Sequence, residues 1–139
     1  YRHFPTRLDL ARAAFEQNLA ELEQIAAEPG PEAFERLWRR LVDMTVGTAA
    51  FVEMAVDARR QLAQDDGERR LRACIDATLP AASAAGRVAD DLTTDDVVLA
   101  QRMGYGVVVT TVDPVQAQAL VTDALQLLPS RPPRSTPAG

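Results

Sequence analysis

Leu8, Ala11, Phe15, Leu19, Leu22 and Ile25 return at steps of three and four residues, the spacing of a helix that buries one stripe. Thr6 opens this segment. Its hydroxyl can accept from the backbone N–H of Asp9, and Asp9 puts an acid in the first turn, where the helix dipole favours one. Pro5 pushes the residue before it out of the α region, so the pattern predicts the tail of one helix, a tight corner, and a new helix from Thr6 to Glu28. At ~1.5 Å per residue that helix is over ~30 Å long, and Glu28-Pro29-Gly30-Pro31 stops it.

The same periodicity places a second helix from Pro31 to about Thr45, with Phe34, Leu37, Trp38, Leu41 and Val42 on one side and Arg36, Arg39 and Arg40 facing water. A third spans Thr48 to about Ala63 through Phe51, Met54, Ala55, Ala58 and Leu62. Gln64-Asp65-Asp66-Gly67 has the composition of a turn. A fourth helix follows, from Glu68 to about Asp90, through Leu71, Cys74, Ile75, Thr78, Leu79, Ala82 and Ala85. Pro80 removes its backbone bond to Asp76, which predicts a kink or break. Thr93-Thr94-Asp95-Asp96 reads as a second cap with acids in the first turn.

The segment from Val97 to Val112 is ambiguous, since Gly106-Val107-Val108-Val109-Thr110-Thr111-Val112 has strong β-propensity. A lone strand in a helical chain would have nothing to pair with, so a helix is expected. Such a helix is apolar almost all round and must be covered on both faces, one by its own domain and the other by a partner. Asp113-Pro114 supplies an N-cap and a first-position proline for a last helix carrying Ala117, Leu120, Val121, Ala124, Leu125 and Leu128 in register. Residues 129–139 are rich in Pro, Ser and Arg without an apolar stripe and are expected to be disordered. The expectation is an all-α bundle of about six helices without internal repeats.

Composition fits one domain: 139 residues, 47% apolar and only 5% aromatic, enough for an alanine-rich helical core. The formal charge of −5 is unevenly spread. Residues 1–12 carry Arg2, Arg7 and Arg12 against Asp9, net +2, whereas the other twelve arginines face nineteen acids, net −7. The basic end is therefore the one suited to a nucleic acid. Cys74 is the only cysteine, so neither a disulfide framework nor a thiolate metal cluster is expected, in keeping with a reducing cytoplasm. No apolar run reaches ~18 residues and no signal-peptide pattern opens the chain, so neither a membrane span nor secretion is expected.

Catalytic chemistry is poorly supplied. His3 is the only histidine, so neither a His-based triad nor a di-iron Glu-x-x-His pair can be built. The pairs Glu53 with Asp57, Asp65 with Asp66, and Asp90 with Asp91 read as solvated faces rather than general acids and bases. Gly104-Tyr105-Gly106 lies inside an apolar helix rather than after a strand, so it is no phosphate loop; glycines there suit close helix approach at ~1 kcal/mol each. The chain is read as a non-enzyme with no cofactor and no metal. Large or adaptable side chains, Phe15, Leu19, Trp38, Leu41, Met44, Phe51, Met54, Cys74, Leu79, Met103 and Tyr105, are spread over five helices and could line an apolar pocket, with Trp38, Thr45, Thr78 and Tyr105 as polar handles.

The run Tyr1-Arg2-His3-Phe4-Pro5-Thr6-Arg7 gathers hydroxyl, imidazole, guanidinium and free helix N–H donors of the kind that hold phosphates. It resembles the end of the recognition helix and the entry to the next helix in TetR-family transcriptional regulators, where the pattern is Leu-Tyr-x-His-Phe-x-(Ser/Thr/Asn)-(Lys/Arg). The resemblance implies that residues 1–5 end a truncated helix-turn-helix and that residues 6–128 form an effector-binding and dimerisation domain. It implies DNA-phosphate contacts at Tyr1, His3, Thr6 and Arg7, and packing of the DNA-binding core by Phe4. A homodimer would form through the last two helices, at Gly104, Val108, Val112, Ala117, Leu120, Val121, Ala124, Leu125 and Leu128. The expected function is a cytoplasmic ligand-responsive repressor whose domain takes a small apolar or amphipathic effector and releases operator DNA. The alternative is a dimeric helical scaffold with no DNA role.

Overall fold

The computed structural model describes residues 6–47 and 64–126, and every described element is helical. In chain order these are α1 (Arg7–Ala26), α2 (Ala33–Gly47), α3 (Gln64–Ala84), α4 (Thr94–Thr110) and α5 (Pro114–Gln126). The expected helix from Thr48 to Ala63, Leu128 at the end of the expected last helix, and the tail 129–139 lie outside the described residues. No described helix is long and apolar enough to cross a membrane.

α2 is the hub, in contact with α1, α3, α4 and α5. Its sequence explains why. Ala33, Phe34, Leu37, Trp38, Leu41 and Thr45 are all buried, and their three- and four-residue steps put them along one broad stripe that two neighbours alone could not cover. Around this stripe gather Leu22 from α1, Cys74, Ile75, Leu79 and Ala82 from α3, and Val97, Val98 and Val108 from α4, with Val88 and Leu92 closing the corner between α3 and α4.

The helix ends follow local chemistry. At α1, Thr6 Oγ1 accepts from Asp9 N at 3.1 Å and Asp9 Oδ2 accepts from Thr6 N at 2.8 Å, a reciprocal capping box. α4 repeats the device, Thr93 Oγ1 accepting from Asp96 N at 3.2 Å and Asp96 Oδ2 from Thr93 N at 3.1 Å. Asp113 opens α5 by accepting from Val115 N at 3.0 Å. Removing the α4 cap with Thr93→Ala should cost about 1 kcal/mol and lower the melting temperature by a few degrees, read by circular dichroism at 222 nm. An unchanged melt would show that α4 is held by packing alone.

Two boundaries of α3 differ by four residues or more from the sequence pattern, and the break allowed for at Pro80 does not occur. Gln64-Asp65-Asp66-Gly67 is the first turn of α3 rather than a loop, since acids at a helix N-terminus suit the dipole and Arg69 pairs with Asp66 one turn on. α3 stops at Ala84 instead of Asp90. Gly86 adopts φ +70°, Arg87 N donates to Ala82 O at 2.9 Å and Gly86 N to Ser83 O at 3.0 Å, the paired bonds by which a left-handed glycine closes a helix. Finally, α3 continues unbroken through the exposed Pro80. The valine-rich end of α4 is helical as expected, and its threonines turn their hydroxyls onto the helix itself: Thr110 Oγ1 donates to Gly106 O and Thr111 Oγ1 to Val107 O, both at 2.7 Å.

Candidate functional site

Three regions bear on function, and the structure treats them differently. At the N-terminal corner, Thr6 and Arg7 are exposed at the start of α1, with the Thr6 hydroxyl engaged by Asp9. Tyr1 and His3 lie outside the described residues.

The second region is the expected pocket. Trp38, Leu41, Cys74, Thr78 and Leu79 are brought together, all buried, against Phe34, Leu37 and Ile75. Met44 packs at their edge, and Phe15, Leu19 and Tyr105 are half-buried. Phe51 and Met54 lie outside the described residues. Met103 does not join the group. It is 64% exposed, because it falls on the side of α4 opposite Gln101, Gly104 and Val108, which are buried.

Two of the expected polar handles are already engaged. Thr45 Oγ1 donates to Leu41 O at 2.9 Å and Thr78 Oγ1 to Cys74 O at 3.0 Å, each a bond to the preceding turn of its own helix. Burial pushes the Cys74 thiol above its ordinary pKa, with the Glu23 carboxylate adding to the shift and Arg70 opposing it, so this sulfur is a packing group rather than a nucleophile. The clearest concavities among the described residues lie elsewhere and are open grooves. One of about 470 Å³ is lined by Glu68, Arg69, Arg72, Ala73 and Asp76; another of about 450 Å³ is lined by Val46, Val115, Gln118, Ala119 and Asp123.

Charged side chains tie the helices together around this core. Arg70 on α3 reaches Glu16 at 2.8 Å and also Glu23, both on α1, and these two carboxylates hold its guanidinium protonated. Arg40 meets Glu21 at 2.7 Å between α2 and α1. Arg72 spans from Glu68 on its own helix, at 3.0 Å, to Asp95 on α4, at 2.6 Å. Arg72 beside Glu68 holds that carboxyl below its ordinary range, helped by Arg102 and opposed by partial desolvation. Such exposed pairs contribute ~0–1 kcal/mol each, so they orient the helices rather than hold the fold. Among the described residues no group of three or more His, Cys, Asp or Glu side chains could hold a metal ion.

The third region is the end of the chain. Among the described residues six large apolar side chains remain well exposed, and five of them, Leu99, Met103, Val112, Val115 and Leu120, belong to α4, α5 and their connection; Leu10 on α1 is the sixth. Val112 is 99% exposed and Val115 74%. Of the residues expected at a dimer interface, Val112 and Leu120 are thus open to solvent, whereas Gly104, Val108 and Ala117 are buried. Helical register accounts for this division: Val108 belongs to the core cluster, Gly104 lies one turn before it on the same side, and Ala117 is 1% exposed. These three serve the chain's own bundle. The side chains of Val121, Ala124 and Leu125 and the whole of Leu128 are outside the described set. Leu99 and Val115 were missed; the signal for Leu99 was the spacing Leu99, Met103, Gly106, Thr110, a second stripe on α4 beside the one that faces the core.

No protein-family model, curated protein or solved structure matches this chain.

Proposed function

We propose that this chain is the effector-binding and dimerisation part of a TetR-like, ligand-responsive transcriptional regulator, acting as a repressor. The observation that carries the reading is the exposed apolar surface gathered on α4 and α5, the two helices through which that resemblance has a dimer form. A soluble chain seldom leaves so many large apolar groups on one pair of helices unless another surface covers them.

The capped corner at Thr6 supports the reading from the other side. α1 has twenty residues, hence a length of ~30 Å, and packs along both α2 and α3. A change in how α2 and α3 sit is felt along this rod and moves whatever precedes Thr6. In the proposed mechanism a small apolar or amphipathic molecule between these helices favours one tilt of α1, and the tilt carries two operator-binding heads off half-site spacing. Switching occupancy from nearly full to nearly empty requires a ligand preference of ~5.5 kcal/mol for the released state. The bonds that Thr45 and Thr78 make to their own helices favour a second reading, a helical scaffold that dimerises by the same face and takes no ligand.

A thermal-shift screen of the chain against small apolar and amphipathic molecules, with sedimentation velocity run beside it, separates the readings. The regulator predicts a dimer and at least one chemical class that raises the melting temperature; a ligand at ~100 times its Kd adds ~2.7 kcal/mol of stability. A dimer that responds to no compound supports the scaffold. A monomer at high concentration overturns both.

A further inference from the structure

We propose that two copies of this chain cross at Gly106, the point of closest approach between their α4 helices. The inference rests on the dimeric reading above and names the residue that sets its geometry.

Gly106 is unexplained by its own chain. A glycine inside a helix costs ~1 kcal/mol relative to alanine, and such a cost is usually accepted for a left-handed backbone or for a close neighbour. Neither applies among the described residues. Positive φ is confined, among the described glycines, to Gly30 and Gly86, and a Cβ built on Gly106 would meet nothing within 4 Å. An alanine would fit and would strengthen the helix.

Its position supplies the missing reason. Gly106 lies in the stripe Leu99, Met103, Gly106, Thr110, whose steps of four, three and four residues are those of a helix packed against another at a shallow angle of ~20°. Leu99 is 57% exposed and Met103 64%. Thr110, the polar member, donates its hydroxyl to Gly106 O, so its one donor is satisfied within the helix and a neighbour need supply no acceptor. Of the charges beside the stripe, Arg102 pairs with Glu68 and Asp95, one turn before Leu99, pairs with Arg72, both partners being on α3. The stripe itself is uncharged, and its one side-chain donor is already paired.

An uncharged apolar stripe with a gap in it fits a surface of the same kind, and the same stripe on a second copy provides one. Twofold symmetry sets one Gly106 against the other and lets the axes approach toward the short end of the ~8–10 Å range, while Leu99 and Met103 of each copy pack beside the crossing. The area is sufficient. At their fractional exposures the five apolar residues of α4, α5 and their connection together present on the order of 600 Å², most of the ~800 Å² that each partner brings to a standard interface.

The test is sedimentation equilibrium on the full chain, wild type against Gly106→Ala and Gly106→Leu, with Ala77→Leu on the exposed side of α3 as the control for an added side chain. Gly106→Leu should raise the dimer Kd about 100-fold or more, since an overpacked contact occurs twice at a twofold crossing. Gly106→Ala should raise it less, and Ala77→Leu not at all. At concentrations where all variants are monomeric, both Gly106 variants should melt at or above the wild-type temperature. A wild-type dimer whose Kd is unmoved by Gly106→Leu overturns the crossing and leaves the regulator reading intact; a wild-type monomer overturns the reading beneath it.

Discussion

Truncation of Phe34 to alanine should destabilise the chain by roughly 3–5 kcal/mol, the largest single-residue effect expected outside the exposed face. Phe34 is 1% exposed and sits on α2, which is in contact with the four other described helices. The loss therefore combines the transfer of an aromatic ring with a cavity inside the core cluster, where Leu37, Ile75 and Val97 are, like Phe34, among the most buried of the described side chains. Walls fixed from several sides cannot collapse to refill it. Against a total stability of ~5–15 kcal/mol, the variant should move a urea midpoint far to the left or fail to give a folded baseline at 37 °C. Leu10→Ala, on a side chain that is 55% exposed, should stay within about 0.5 kcal/mol. A Phe34→Ala cost below about 1 kcal/mol would mean that α2 is not the centre of the bundle.

What could be read from residues alone was set by short-range chemistry. Thr6 with Asp9 and Thr93 with Asp96 announce caps because the bonds they make reach only three residues, and the stripe of α2 announces a buried helix because its period is unbroken from Ala33 to Thr45. The β-propensity of Gly106 to Val112 is overridden by context: Val108 is needed in the core, and a strand there would have no partner among the described helices. The missed boundaries share a cause. Gln64 to Gly67 look like a turn until the acids are counted as first-turn residues, and Gly86 looks like a tolerable helix residue until the two bonds that require its positive φ are seen.

The candidate site was legible in part for the same reason. Burial of Trp38, Leu41, Cys74 and Leu79 follows from periodicity, but periodicity does not say whether a core is hollow or filled, because that depends on how separate helices meet. On α4 the difficulty is sharper. Apolar residues lie on nearly every side, so the pattern cannot tell the stripe Gln101, Gly104, Val108, which faces the core, from Leu99, Met103, Gly106, Thr110, which does not; only the placement of α2 and α5 against the helix separates them. Met103 consequently moves from the expected pocket to the exposed face, and Gly104 moves the opposite way.

That separation makes it possible to test the face by introducing charge. The double variant Leu99→Glu with Met103→Glu should abolish dimerisation while leaving the monomer intact. Both side chains are more than half exposed, and both lie on a helix, where glutamate is as good a former as methionine or leucine, so each change should shift monomer stability by no more than about 0.5 kcal/mol. In the proposed dimer the same changes bring four carboxylates to a shared apolar seam. Each unpaired buried charge costs ~3–5 kcal/mol, and the carboxylates of the two copies repel one another besides, so the dimer Kd should rise by more than ~1,000-fold. Size-exclusion chromatography with light scattering would then report one copy at every accessible concentration, with an unchanged helical spectrum. Lowering the pH toward the ordinary glutamate range should restore association in part, since a protonated carboxyl no longer repels its twin. A double variant that remains dimeric at neutral pH would place the self-association surface elsewhere on the chain, and the exposed face of α4 would lose its assigned role.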